Sequence, residues 1–327
     1  MLRILNNKLS LLLLLVLSMA ACKKEEYAIP DPISDLTNDC IKRTLGPNIV
    51  SLPVEFAYAM ALPKSKGKLV SAQVEASIAG ATGTYLENKS YFTKSNGQDT
   101  GVVVGEPSVN KDNITSVAFN VDTNAATLRY FYVIPEEARG KTVSFTFSAT
   151  SSDGKSAKFS MGPYTISKMD IKRTLAVSNG NASYISIADM AVYNTATVDA
   201  NAAKIDLVYL YRATPSSFTH AFVSPAADAQ YLPGVTLPAG VNRNSKVRKV
   251  FGLQDRNLAN LQFGIYIDDR DFQEISFADA PNYALGLKAE AGTWVETADA
   301  KYRAYIFINS INANGSAVIS ILRYTMQ

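Results

Sequence analysis

The stretch Val54-Glu55-Phe56-Ala57-Tyr58-Ala59-Met60-Ala61-Leu62 decides the fold. Its large apolar side chains fall on every second residue, and Glu55 and small alanines fill the gaps. A helix would need apolar residues three and four apart. A period of two with one apolar face describes a half-buried antiparallel strand.

The same alternation recurs on both sides. Val70, Ala72, Val74, Ala76 and Ile78 repeat it, as do Val117/Phe119/Val121, Leu128/Tyr130/Tyr132/Ile134 and Val143/Phe145/Phe147. The separators are turn formers: Pro63–Gly67, Ser95-Asn96-Gly97 and Ser152-Asp153-Gly154. Glu136–Arg139, after Pro135, has room for one helical turn. Roughly six or seven strands before Ile171 predict one β-sandwich. The second half continues with Ile205/Leu207/Tyr209/Tyr211, Leu261/Phe263/Ile265/Ile267, Tyr302/Ala304/Ile306/Ile308 and Ala317/Ile319/Ile321. Ile311–Gly315 reads as a hairpin turn. Between the first two of these strands, Ala213–Asn257 holds Pro215, Pro225, Pro233 and Pro238 and little alternation. A connection of that length is either functional or locally folded. Ile-Lys-Arg-Thr-Leu occurs at 41–45 and again at 171–175, which marks a boundary. The expectation is an all-β chain of two tandem sandwiches, immunoglobulin-like or related, over 38–169 and 170–327.

What precedes them is an address. Arg3 and Lys8 precede an apolar run from Leu9 to Met19, and Ala20-Ala21 lead into Cys22. At about eleven residues the run is too short to cross a bilayer, and the layout is that of a secretory signal over 1–21. A Cys after two alanines resembles the lipobox of bacterial lipoproteins, with Met19 replacing the usual Leu or Val. This implies lipidation of Cys22, and residues 22–37, charged and then Pro-rich, read as a tether. Lys24-Glu25-Glu26 resembles the export signal that places some lipoproteins on the outer face of the outer membrane; the periplasmic face is the alternative.

Charge narrows the partners. The signal takes Arg3 and Lys8 with it, so the chain's 32 basic and 29 acidic residues come close to balance. No basic stripe points to nucleic acid and no second apolar stretch to a membrane span, so the lipid is the expected membrane contact.

Most catalytic machinery lacks its residues. His220 is the single histidine, in a stretch without nucleophile-elbow glycines. Once Cys22 is lipidated, Cys40 is the one remaining thiol, which leaves no intrachain disulfide and reads as a small buried hydrophobe. Asp268, Asp269, Asp271 and Glu274 form the one acidic cluster. It could be a solvated turn, with Arg256 or Arg270 pairing one acid. Asp268, Asp269 and Asp271 could instead supply oxygens to a structural Ca²⁺, or two of the acids could hydrolyse a glycoside. Otherwise no cofactor is expected.

Aromatics are the fuller signal: seventeen tyrosines, fourteen phenylalanines and one tryptophan. Such rings stack on the C–H faces of sugars while hydroxyl tips reach water. Tyr58, Tyr132 and Tyr209 fall on apolar strand faces and belong to cores. Tyr91 (with Phe92), Tyr231, Tyr283 and Trp294 lie off the alternation and are the candidate ligand-binding residues. Trp294, in Gly292-Thr293-Trp294, is read as lying between strands, either as a platform or as the plug of the second core.

The segments NDCIKRTLGPNIV (38–50), VEFAYAMALP (54–63), YFYVIPEEARGKTVSF (130–145) and KYRAYIFINSINANGSAVISILRYTM (301–326) resemble an uncharacterised lipoprotein family of Gram-negative gut anaerobes. That family carries only a domain-of-unknown-function label. The resemblance implies a place beside starch-utilisation-like glycan uptake systems and brings no catalytic residues. The expected function is therefore a non-catalytic oligosaccharide-binding module of an outer-membrane uptake complex. The alternatives are a glycoside hydrolase using the acidic cluster and a structural or adhesion subunit that binds protein.

Overall fold

The computed structural model describes residues 34–250 and 267–326. The signal, Cys22, Arg256 and all but the last residue of the expected strand 261–267 lie outside them.

In the first domain the chain runs through β1 (Thr37–Lys42), β2 (Pro53–Ala61), β3 (Leu69–Ala76), β4 (Tyr85–Leu86), β5 (Lys89–Thr93), β6 (Asp99–Val103), β7 (Val109–Lys111), β8 (Ile114–Ala118), β9 (Ala125–Val133), β10 (Thr142–Ser151) and β11 (Ser156–Thr165). Sheet β1-β2-β9-β4 faces sheet β11-β10-β3-β8-β7, and β5-β6 is a separate two-stranded arm. All pairings between these strands are antiparallel. Burial in β2 alternates residue by residue, with Val54, Phe56, Tyr58 and Met60 inside. They meet Tyr130 and Tyr132 of β9 and Phe145 and Phe147 of β10 in one aromatic core, with Phe56 and Phe145 4.8 Å apart. Each such ring contributes about 1.5–3 kcal/mol by leaving water. Glu136–Ala138 forms the short helical turn expected after Pro135.

The second domain comprises β12 (Met169–Ser178), β13 (Tyr184–Ser186), β14 (Ala191–Tyr193), β15 (Leu207–Arg212), β16 (Thr219–Val223), β17 (Lys246–Val250), helix α1 (Asp269–Glu274), β18 (Tyr283–Leu287), β19 (Gly292–Glu296), β20 (Tyr302–Asn312) and β21 (Ser316–Thr325). Sheets β12-β21-β20-β19-β17 and β14-β13-β15-β16-β18 form the sandwich. Ile185, Leu207, Tyr209, Phe222, Val295, Ile306 and Ile319 fill the space between them. β20 and β21 join through the expected turn at Ala313–Gly315.

Both sheets here are also buried on their outer faces. Over the first, the 267–280 segment with α1 packs Phe272 and Phe277 against Trp294, Tyr305, Phe307 and Leu322, and Ile49 joins from the first domain. Over the second, the segment 224–245 lays Tyr231, Leu232, Val235 and Val241 against Tyr184, Val208, Leu210 and Val223. The expectation of one irregular stretch over 213–257 is thereby corrected: it contains β16 and β17, and its middle is a folded cover. A strand buried on both faces has no polar side to alternate with, so β16 (THAFV) gives no period-two signal.

Arg243 fastens the cover. Its Nε donates to Asp206 Oδ1 at 2.8 Å, and its Nη2 pairs with Asp299 at 3.1 Å. Asp206 also accepts from Ile187 N–H and the Ser245 hydroxyl.

Candidate functional site

Each sequence-derived candidate has a definite place. Trp294, expected between strands, lies inside β19 and is 5% exposed. Its indole meets Phe272 edge-on at 5.1 Å and Tyr305 at 4.9 Å. It is the plug of the core under α1, and its selection as a ligand platform is corrected.

In the acidic cluster the fold uses the carboxylates, and of the readings left open it is the solvated turn, with Arg270 pairing one acid, that the structure shows. Asp268 caps α1, its Oδ1 accepting from Arg270 N–H and Asp271 N–H, while Asp271 accepts from Asp268 N–H in a reciprocal capping box. Asp269 accepts from the Ser167 hydroxyl and from Lys168 N–H, tying α1 to the segment between the domains. Glu274 pairs with Arg270 at 2.6 Å. Among the described residues no group of three or more His, Cys, Asp or Glu is placed to hold a metal ion, so the expected Ca²⁺ ligation by Asp268, Asp269 and Asp271 is corrected.

His220 is on β16, 4% exposed, its Nδ1 sharing a hydrogen bond with the Tyr209 hydroxyl and its ring 4.7 Å from that of Tyr211. Burial lowers its pKa, which favours a neutral structural imidazole. Cys40 is buried in the first core, and burial, with a smaller contribution from Asp39, pushes its thiol up to about 12.

Tyr91 stands on the β5-β6 arm with its ring 4.0 Å from the Arg129 guanidinium and its hydroxyl donating to Glu87 at 2.8 Å. It borders a groove of about 400 Å³ against Ala59, Ala61 and Ala125, where it is the single ring. Tyr231 and Tyr283 are brought face to face, the first from the cover and the second from edge strand β18.

A further concavity is lined by residues not singled out as site candidates from the sequence. A groove of about 440 Å³ opens where β13, β15 and the cover meet, and Tyr184, Tyr211 and Phe218 supply three rings to its lining. Asn179, Thr195, Thr236 and Arg212 supply polar groups, and no Asp or Glu lines it. The framework holding it is specific. Asn179-Gly180 turns the chain from β12 towards β13, with Gly180 at φ +77, and Asn179 Oδ1 accepts from Tyr211 N–H at 3.0 Å. Gly315 lets Tyr211 approach, since a Cβ there would sit 2.9 Å from the ring. Pro233-Gly234 bends the cover to form the opposite wall. The two dipeptides Asn179-Gly180 and Pro233-Gly234 are the one local hint, as turns that leave side chains free to converge.

Comparison with known proteins follows these boundaries. Residues 33–166 match a family described as Domain of unknown function (DUF4466), and residues 167–326 match Domain of unknown function (DUF8576). The crystal structure of a DUF4466 family protein from Parabacteroides merdae is 50% identical, with a TM-score of 0.84 over 90% of this chain and 100% of that one. Two further matches carry no argument. A major pilin fragment of Streptococcus agalactiae has a TM-score of 0.27 at 10% identity, over 48% of this chain and 66% of that one. The Myf fimbrial major subunit of Yersinia enterocolitica, solved with galactose, has 0.22 at 15%, over 39% and 98%. No curated protein matches. By its identity and coverage against the Parabacteroides merdae structure, the chain belongs to the DUF4466 family.

Proposed function

We propose that this chain is a cell-envelope lipoprotein, anchored through Cys22, whose second domain binds an oligosaccharide in the groove under the cover, in the service of an outer-membrane glycan uptake complex. The observation that carries the reading is the groove's lining: the half-buried Tyr211 over a floor that includes the buried Tyr184 and Phe218, beside Asn179, Thr195 and Thr236. Sugars present alternating C–H faces and hydroxyls, and rings interleaved with amides and hydroxyls match both. Binding rather than hydrolysis is supported by the lining itself, since the usual glycosidase needs a pair of carboxylates and none is there. Anchoring is supported by the lipobox-like Ala20-Ala21-Cys22 after a short apolar run.

Glycan-array binding by the chain from Lys23 to Gln327 tests the ligand class. Thr236→Trp, which fills the groove from an exposed position, abolishes retention without lowering the melting temperature. Retention that survives this variant places the ligand elsewhere. For the anchor, Cys22→Ala releases the protein from the membrane fraction; continued partitioning with outer-membrane lipids refutes it.

A further inference from the structure

The groove's single charged residue narrows the ligand further. Arg212 closes β15, paired with Thr219 of β16, and its guanidinium carbon is 6.0 Å from the centre of the Phe218 ring. Many arginines elsewhere are taken by acids: Arg43 and Arg129 by Glu55 and Asp99, Arg139 and Arg323 by Asp170, Arg243 by Asp206, Arg303 by Glu296; Arg248, also exposed, shares with Arg212 the lack of an acid partner among the described residues. Arg212 is exposed, lines the groove, and has no carboxylate partner among the described residues. The remaining lining is neutral, so nothing offsets its charge locally.

From this placement we infer that the oligosaccharide carries an acidic group, a ring carboxylate or a sulfate ester, and that Arg212 is the specificity-determining residue that receives it. The inference rests on the reading of the groove as a sugar site. A guanidinium presents parallel N–H donors that match the two oxygens of a carboxylate or sulfate, and such charge-assisted pairs are stronger than neutral ones. Tyr211, the half-buried ring of the three, would meet the apolar face of a sugar unit, with Tyr184 and Phe218 buried as the groove's floor, leaving Arg212 to select the charge. A neutral sugar could offer only single hydroxyl acceptors to the guanidinium, a weaker match than the paired oxygens of an anion. Lysine could supply the charge but not the paired donors, so Arg212→Lys should keep only part of the preference.

The test is an array of neutral, uronate-bearing and sulfated oligosaccharides probed with the chain from Lys23 to Gln327, with Arg212→Gln and with Thr236→Trp. Both variants alter exposed residues, and each is first checked for an unchanged melting temperature. The expected result is retention of acidic glycans that falls at least tenfold in Arg212→Gln, weakens as salt rises and disappears in Thr236→Trp. Whether the retained set bears uronates or sulfates tells the two sources of negative charge apart. Neutral glycans that Thr236→Trp loses and Arg212→Gln keeps would overturn the inference and leave the groove reading standing. Acidic glycans held equally by Arg212→Gln would overturn it as well. An empty array, or retention indifferent to Thr236→Trp, would remove both.

Discussion

The Tyr231 hydroxyl donates to the Tyr283 hydroxyl at 2.9 Å, and the two rings stack with centroids 3.6 Å apart and planes within 19°. The pair joins the cover to the edge strand β18, so each ring spends one face on the other. Its partner fastening is Arg243 between Asp206 and Asp299. Together they hold the segment whose Pro233–Thr236 turn walls the groove.

Tyr231→Ala should therefore loosen the cover without unfolding the domain. The expected effect is a small fall in the urea midpoint, from the loss of an aromatic pair and an exposed hydrogen bond. Hydrogen–deuterium exchange should speed up across 229–245 and stay unchanged in β20 and β21. Uniform acceleration throughout the domain would mean that the cover and the sandwich unfold as one.

Trp294→Ala should behave as a core deletion. The indole is wedged between Phe272 and Tyr305, and its removal should cost about 3–5 kcal/mol in urea unfolding. A loss below about 1 kcal/mol would return Trp294 to the surface.

Acid stability should depend on Asp299. Burial alone would raise its pKa, but hydrogen bonds from Thr297 and Lys301 N–H and the Arg243 guanidinium outweigh it and bring it down to about 2. A depressed carboxylate stabilises the fold above its ordinary value of 3.8 and ceases to do so as pH falls towards about 2. Because its side chain is 37% exposed, solvent screening cuts the contribution to about 1 kcal/mol. Asp299→Asn should lower the urea midpoint at pH 6 and by clearly less near pH 2, where the folded-state carboxylate is half protonated. An equal loss at both values would assign the effect to packing.

Cys40 should be inert while the protein is folded. With its thiol at about 12, the reactive thiolate at pH 8 is rarer by a factor of about 1,000 than in a free cysteine. In the chain from Lys23, iodoacetamide should label Cys40 only once urea unfolds the first domain. Labelling at the rate of free cysteine in native buffer would contradict its burial.

The first sandwich was legible because its sheets bury one face and wet the other. β2 and β9 therefore print their burial as strict alternation in the sequence. The second domain was only partly legible. Its strands β16 and β19 are buried on both sides over most of their length, which erases the period and made Trp294 look like a connector residue. Tyr231 and Tyr283 stood out because they broke the alternation; that they meet was beyond the sequence, since 52 residues separate them. The groove was hidden for the same reason. Tyr211 reads as one more aromatic of an alternating strand and nothing around Tyr184 or Phe218 marks them out, so only the pairing of β13 with β15 and the folding back of the cover bring them together. The acidic run misled because a capping box and a bond to Ser167 use the same residue types as a cation site.

The most direct test of the central claim is hydrogen–deuterium exchange of the chain from Lys23, with and without each oligosaccharide that an array retains. The account predicts slowed exchange confined to 179–184, 208–212 and 233–236, with the β5-β6 arm unaffected. An array that retains nothing, or protection that falls on the first domain and spares these three segments, would contradict it.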